Sequence, residues 1–167
     1  MTVISVQKDP ARLTLTIVAE FAASPERVWQ LWADPRQLER WWGPPMYPAT
    51  VTRHQLAAGG RVEYHMTGPT GDQPKGYWDV LEVDPPRRLV FHDGFANADG
   101  SPNDELPRTE GHVSITSGAG GLTRMSIESH FPSVQALEGL VQMGMEEGLR
   151  LAVSQIDDIL AGDPARA

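Results

Sequence analysis

Between Ala49 and His130 the chain offers six consecutive strand-like stretches with no helical pattern between them. They are Ala49–His54, Gly60–Thr67, Lys75–Val83, Arg88–Asp93, Thr109–Ser117 and Leu122–His130. Turn chemistry separates them, as in Ala58-Gly59-Gly60, Asp84-Pro85-Pro86 and Gly118-Ala119-Gly120-Gly121. Strands that follow one another through short turns pair antiparallel, because parallel neighbours need a long crossover. Earlier, Arg12–Phe21 alternates Leu13, Leu15, Ile17 and Ala19 against Arg12, Thr14, Thr16 and Glu20, which predicts a seventh, half-buried strand. The segment Phe95–Pro107, rich in Asp, Asn, Gly and Pro, reads as the longest loop and as a mobile one. After the strands, Leu137, Val141, Met145, Leu149, Ala152, Ile156 and Ile159 recur at helical spacing. They predict one continuous helix from Ser133, its N-cap, to about Leu160, stopped by Gly162-Asp163-Pro164 with a short disordered tail beyond. A sheet with one apolar face and a helix with one apolar stripe bury those surfaces against each other. The expected fold is α+β: a curved antiparallel sheet of about seven strands around a long C-terminal helix.

Two short helices should follow the first strand. Ser24 caps the first, with Pro25 in its opening turn, and Asp34-Pro35 restarts the second before Gly43-Pro44-Pro45 ends it. They carry Trp29, Trp32, Trp41 and Trp42, four of the chain's five tryptophans. An indole brings a large apolar area and one N–H that needs a partner. A cluster this dense is either a large core contact or the wall of an apolar pocket.

Composition narrows the partners. The net charge of −8 and the lack of any Lys/Arg cluster longer than Arg87-Arg88 argue against nucleic acid and anionic membranes. Cysteine is absent, which removes thiol catalysis, thiolate metal sites and disulfides. With no signal-like segment and no apolar run near the roughly 20 residues of a membrane span, a cytoplasmic protein is expected. Its 167 residues fit one domain.

Several runs together resemble a known family. They are Trp41-Trp42-Gly43-Pro44 after Asp34-Pro35, Gly76 followed by Glu82 to Phe91, Gly121 to Met125, and Met143 to Leu149. In this order the chain is similar to single-domain bacterial members of the activator of Hsp90 ATPase homologue 1-like (AHSA1-like) family. That family belongs to the START/Bet v 1-like, or SRPBCC, superfamily. The resemblance covers about residues 12–161 and implies a helix-grip fold, with a cavity between the concave sheet and the long helix. It is poor evidence of function, because the superfamily spans carriers, receptors, cyclases and co-chaperones.

Candidate ligand-binding residues follow from that expectation: Trp32, Trp41 and Trp42 from the short helices, and Val141, Met145 and Leu149 from the long one. Tyr64, Met66, Trp78, Phe91 and Met125 join them from the strands, although alternation does not say which face of a strand points inward. The alternative is that all of these pack a solid core. Gly144 and Gly148, one turn apart, each cost a helix about 1 kcal/mol against Ala. Close packing is the favoured explanation, room for a ligand the other.

Signals for catalysis are weak. Tyr64 and Tyr77 could donate to a ligand carbonyl, and His92 at a strand end could act as a base. The five histidines stand singly without metal-binding spacing, and Glu110 has no identifiable partner. No metal and no cofactor is expected. Three functions remain. The first is a hydrophobic or aromatic small-molecule binder. The second is a cyclase- or dehydratase-type enzyme acting on a polyketide-like substrate. The third and weakest is a chaperone-interacting module, since such co-chaperones, as the resemblance implies, carry a further domain. Exposed strand edges, with Val134, Leu140 and Leu151 outside the main stripe, could pair two copies as a homodimer.

Overall fold

Period-two burial governs most of the chain. In the strand Thr14–Phe21, Leu15, Ile17, Ala19 and Phe21 are buried while Thr16, Val18 and Glu20 are partly exposed. The structure, a computed structural model, describes residues 3–163. Its strands are β1 (Val3–Asp9), β2 (Thr14–Phe21), β3 (Ala49–His54), β4 (Arg61–Met66), β5 (Lys75–Asp84), β6 (Arg88–Ala96), β7 (Thr109–Ser117) and β8 (Thr123–His130). They form one curved antiparallel sheet in the order β1-β2-β8-β7-β6-β5-β4-β3. The strand not expected from sequence is β1. It pairs with β2 through a turn in which the Asp9 carboxylate accepts from the Ala11 and Arg12 amides, at 3.1 and 3.2 Å. Leu13, assigned to the strand by its pattern, instead sits in that turn at φ +56°.

Helices α1 (Pro25–Ala33) and α2 (Pro35–Trp41) carry the chain from β2 across to β3 at the opposite edge. Ser24 and Asp34 cap them as their sequence positions suggest, Ser24 accepting from the Arg27 amide and Asp34 from that of Arg36. Arg27 has a second task. Its guanidinium donates to both carboxylate oxygens of Asp163, at 2.6 and 2.8 Å, and to Gln37 at 2.7 Å, tying α1, α2 and the C-terminal end together.

The C-terminal helix is not continuous. It is divided into α3 (Val134–Gln142), α4 (Met145–Ser154) and α5 (Ile156–Ala161). Gly144 breaks it, adopting φ +94°, a left-handed conformation that glycine enters without steric cost. The expected stripe survives across the breaks, though unevenly. Leu137, Ala152, Ile156 and Ile159 are buried, whereas Val141, Met145 and Leu149 in the middle are only partly so. Leu140, read from sequence as a surface residue, is buried with Leu15, Phe131 and Leu137, because α3 turns that side toward the sheet. Of the three apolar residues considered for pairing two copies, Val134 and Leu151 do reach the surface. The expected tail from Pro164 onward lies outside the described residues. Among the described residues no helix is long and apolar enough to cross a membrane.

One end of the space between sheet and helices is filled with rings. Trp32 meets Trp41 edge-on with centroids 4.7 Å apart, and Trp78 stacks on Phe91 at 4.1 Å. Two of the buried indoles find partners: Trp41 Nε1 donates to the Leu31 carbonyl at 2.9 Å, and Trp32 Nε1 to the Met125 sulfur at 3.3 Å. His54 Nε2 contacts the Trp32 carbonyl at 2.9 Å. Trp41→Ala, which empties a fully buried site in this cluster, is expected to lower the unfolding free energy by about 3–5 kcal/mol in chemical denaturation.

Candidate ligand-binding site

Beyond the ring cluster the space is hollow. A cavity of about 290 Å³, open to solvent on one side, lies between the concave face of the sheet and the α3–α4 junction. Its floor comes from alternate residues of four strands: Tyr64 and Met66 of β4, Phe91 and Asp93 of β6, Thr109 and Gly111 of β7, and Ile127 and Ser129 of β8. Met143, Gly144, Met145, Gly148 and Leu149 form the roof, and Trp42 with Pro44 closes the side nearest the ring cluster. This explains why Met145 and Leu149 in the C-terminal stripe are half-exposed: there the helix borders open volume rather than packed side chains.

Gly144 at the α3–α4 break and Gly148 within α4 do not mark close packing, contrary to the reading favoured from sequence. A Cβ added at Gly144 or at Gly148 would meet nothing within 4 Å. Both line the cavity, and no neighbour presses on either. Strand glycines work the other way. A Cβ at Gly76 would fall 2.3 Å from the Tyr64 hydroxyl oxygen, and one at Gly111 would fall 2.9 Å from the Phe91 ring. Each of these glycines lets a ring from the neighbouring strand lie across the sheet where a side chain would stand.

Laid over Gly76, Tyr64 reaches β6 and donates its hydroxyl to Asp93 Oδ1 at 3.0 Å. Desolvation by the apolar walls pushes the Asp93 carboxyl up from its ordinary 3.8 to about 7, against the opposing pull of the Tyr64 hydrogen bond. Burial, and next the Asp93 charge, raise the Tyr64 phenol well above its usual range. The Trp42 N–H sits near enough to lower it somewhat, yet this buried donor meets good hydrogen-bond geometry with no described residue. The cavity's polar groups thus include the Trp42 indole N–H, the Tyr64 phenol and the Asp93 carboxyl, besides the Thr109 and Ser129 side chains of the floor.

The residues proposed from sequence separate into two sets. Trp42, Tyr64, Met66, Phe91, Met145 and Leu149 come together around the cavity. Trp32, Trp41, Trp78 and Met125 instead pack the solid end, fully buried behind that first layer, and Val141 packs against the smaller cluster of Leu15, Phe131, Leu137 and Leu140. Tyr77 and His92 are on the wrong face altogether. The Tyr77 ring lies on the outer side of the sheet over Gly94, beneath the Arg61 guanidinium at 4.4 Å. His92 faces the same way, its Nε2 3.1 Å from Glu110 and its Nδ1 2.6 Å from Arg108. Glu110 is also not partnerless, since the register sets it between His92 and His112. Among the described residues no group of three His, Asp or Glu side chains is placed to hold a metal ion. Among the lining residues that sequence reasoning missed, such as Thr109, Ser129 and Met143, the ionisable one is Asp93. Leu89, Phe91 and Asp93 share one face of β6 by alternation, so a signal for it was present once Phe91 was taken as inward.

Asp93 costs the fold stability. Below about pH 4 it is protonated whether the chain is folded or not. Between 3.8 and about 7 the unfolded chain releases the proton more readily, so this contribution to stability falls as pH rises and levels off above 7. Asp93→Asn, which still accepts from Tyr64, is therefore expected to melt about 2–6 °C above the parent at pH 8. The difference should vanish near pH 4 in parallel thermal melts. An equal gain at both pH values would show that the carboxyl does not titrate in this way.

A profile of the activator of Hsp90 ATPase homolog 1-like protein family matches residues 22–161. Among solved structures, a protein of Arthrobacter aurescens is 47% identical with a TM-score of 0.92, over 99% of this chain and 95% of its own. A protein of Mycobacterium smegmatis is 46% identical with a TM-score of 0.88, over 98% of this chain and 99% of its own. One from Staphylococcus epidermidis, at 21% identity and a TM-score of 0.82, shares the fold across 98% of both chains. Among curated proteins none matches. With the profile spanning most of the sheet and all the helices, the chain belongs to the activator of Hsp90 ATPase homolog 1-like family and has its helix-grip fold.

Proposed function

We propose that this protein binds an apolar or aromatic small molecule in the cavity beneath the α3–α4 junction. The observation that carries the reading is the volume itself: about 290 Å³ lined on the helix side by Gly144 and Gly148, where an added Cβ would meet no neighbour within 4 Å. Close-packed interiors leave few voids larger than a water molecule, so a space of this size in a small protein needs a reason. Its walls have the usual make-up of a ligand site, mostly aromatic, aliphatic and thioether groups with a few converging polar atoms. Met66, Met143 and Met145 suit an occupant whose shape the wall must follow, because an unbranched thioether adapts at little cost. Family membership agrees with a ligand-binding role.

The test is to fill the cavity from the helix side. Gly148→Leu places a side chain in the open space without meeting a neighbour at Cβ. Affinity for the neutral fluorescent probe N-phenyl-1-naphthylamine is expected to drop at least about ten-fold, corresponding to about 1.4 kcal/mol, with the melting temperature unchanged or raised. A variant that binds the probe as the parent does would mean that the probe sits elsewhere and that the cavity is not the site.

A further inference from the structure

The lining of the cavity has one ionisable group that carries charge near neutral pH, and that group is an acid. Among the described residues around it there is no Lys, Arg or His, while Asp93 faces the space directly. Only half of its carboxyl is engaged. Oδ1 accepts from the Tyr64 hydroxyl, and Oδ2 accepts from no described residue. The arrangement is built rather than incidental, because Tyr64 reaches Asp93 only across Gly76, where any Cβ would strike its ring and hydroxyl.

We propose that the occupant of this cavity is an organic monocation, an amine on an aromatic or aliphatic body, with Asp93 as its counter-ion. The inference rests on the small-molecule reading above and names the charge class that the site accepts. An ammonium supplies what the carboxyl lacks, an opposite charge at its free oxygen inside a wall of low polarity, where charge-assisted hydrogen bonds are strong. The rest of the wall tolerates such a guest. Trp42, Tyr64 and Phe91 line the same space as aromatic neighbours that a cation can approach, with the Trp42 ring centroid lying 6.2 Å from Tyr64 and 6.3 Å from Phe91. The Tyr64 hydroxyl points the positive end of its dipole at Asp93, which favours the ionised carboxyl that a cation needs. A carboxylate, sulfonate or phosphate ligand would face Asp93 with no cation in the wall to pair with. The net charge of −8 adds to this by drawing cations toward the protein and repelling anions.

Three probes with one body and different head groups test the inference: 2-naphthylmethylamine, 2-naphthylmethanol and 2-naphthoate, titrated calorimetrically into the full chain at pH 8 and low salt. The amine is expected to bind at least about ten-fold more tightly than the alcohol, the increment of one charge-assisted contact, with the naphthoate weakest. In Asp93→Asn the amine and the alcohol should converge. The inference is overturned if the parent binds the alcohol or the naphthoate as tightly as the amine, or if Asp93→Asn keeps the preference. Should Asp93→Asn fail to fold, the order of the three probes on the parent decides alone. Binding of the alcohol with no gain from the amine would sink the charge assignment and leave the small-molecule reading standing. Absence of binding by all three would remove both.

Discussion

The ring cluster between α1–α2 and the sheet sets the terms for everything else in this molecule. Trp32, Trp41, Trp78 and Phe91 fill one end of the space under the curved sheet so completely that the short helices, the first long crossover and the far edge strands are fixed against one another. The cluster concentrates the apolar burial, the largest favourable contribution to folding, at one end. The other end is thereby free to remain hollow. A sheet that cups a helix cannot be equally well packed along its whole length unless the helix keeps contact throughout, and here Gly144 interrupts it midway.

Glycine serves two opposite purposes in this fold. In the helical region Gly144 and Gly148 subtract side chains where no neighbour would have opposed them, and what they leave is volume. In the sheet Gly76, Gly94 and Gly111 subtract side chains where an aromatic ring from the adjacent strand takes the place, and what they leave is contact. Tyr64 over Gly76 and Tyr77 over Gly94 are the same device on opposite faces. One brings a phenol to Asp93 inside the cavity, and the other is sandwiched with Arg61 on the outer surface. A carboxyl held in apolar surroundings without a cation is a local cost, and such costs concentrate where a site must later engage something.

Much of the architecture was legible because strand and helix periods differ so plainly. Leu15, Ile17 and Ala19, or Val113 and Ile115, state the buried face of their strands without any help from the rest of the chain. Ser24, Asp34 and Ser133 state where helices begin. The site was less readable. Tyr77 and Tyr64 look alike in sequence, each an aromatic residue in a strand. His92 looks more reactive than Asp93 by residue type, although parity along β6 puts the histidine outside and the acid within. Trp32 and Trp42 are equally apolar and both buried, yet one is the interior of the cluster and the other its edge against the cavity.

The order of elements from β2 onward, the starts of the helices and the alternation along each strand are legible in the sequence alone, because they follow from local periodicity, capping and turn chemistry, and the family is legible separately, in motif runs such as Trp41-Trp42-Gly43-Pro44. Three-dimensional packing alone decided that the C-terminal helix breaks at Gly144, that the glycines there enclose space, and that Tyr64 meets Asp93 across two strands. The physical reason is that hollow volume and cross-strand contacts depend on the distances between elements. Those distances are set by how the largest side chains pack, and no window of neighbouring residues contains them.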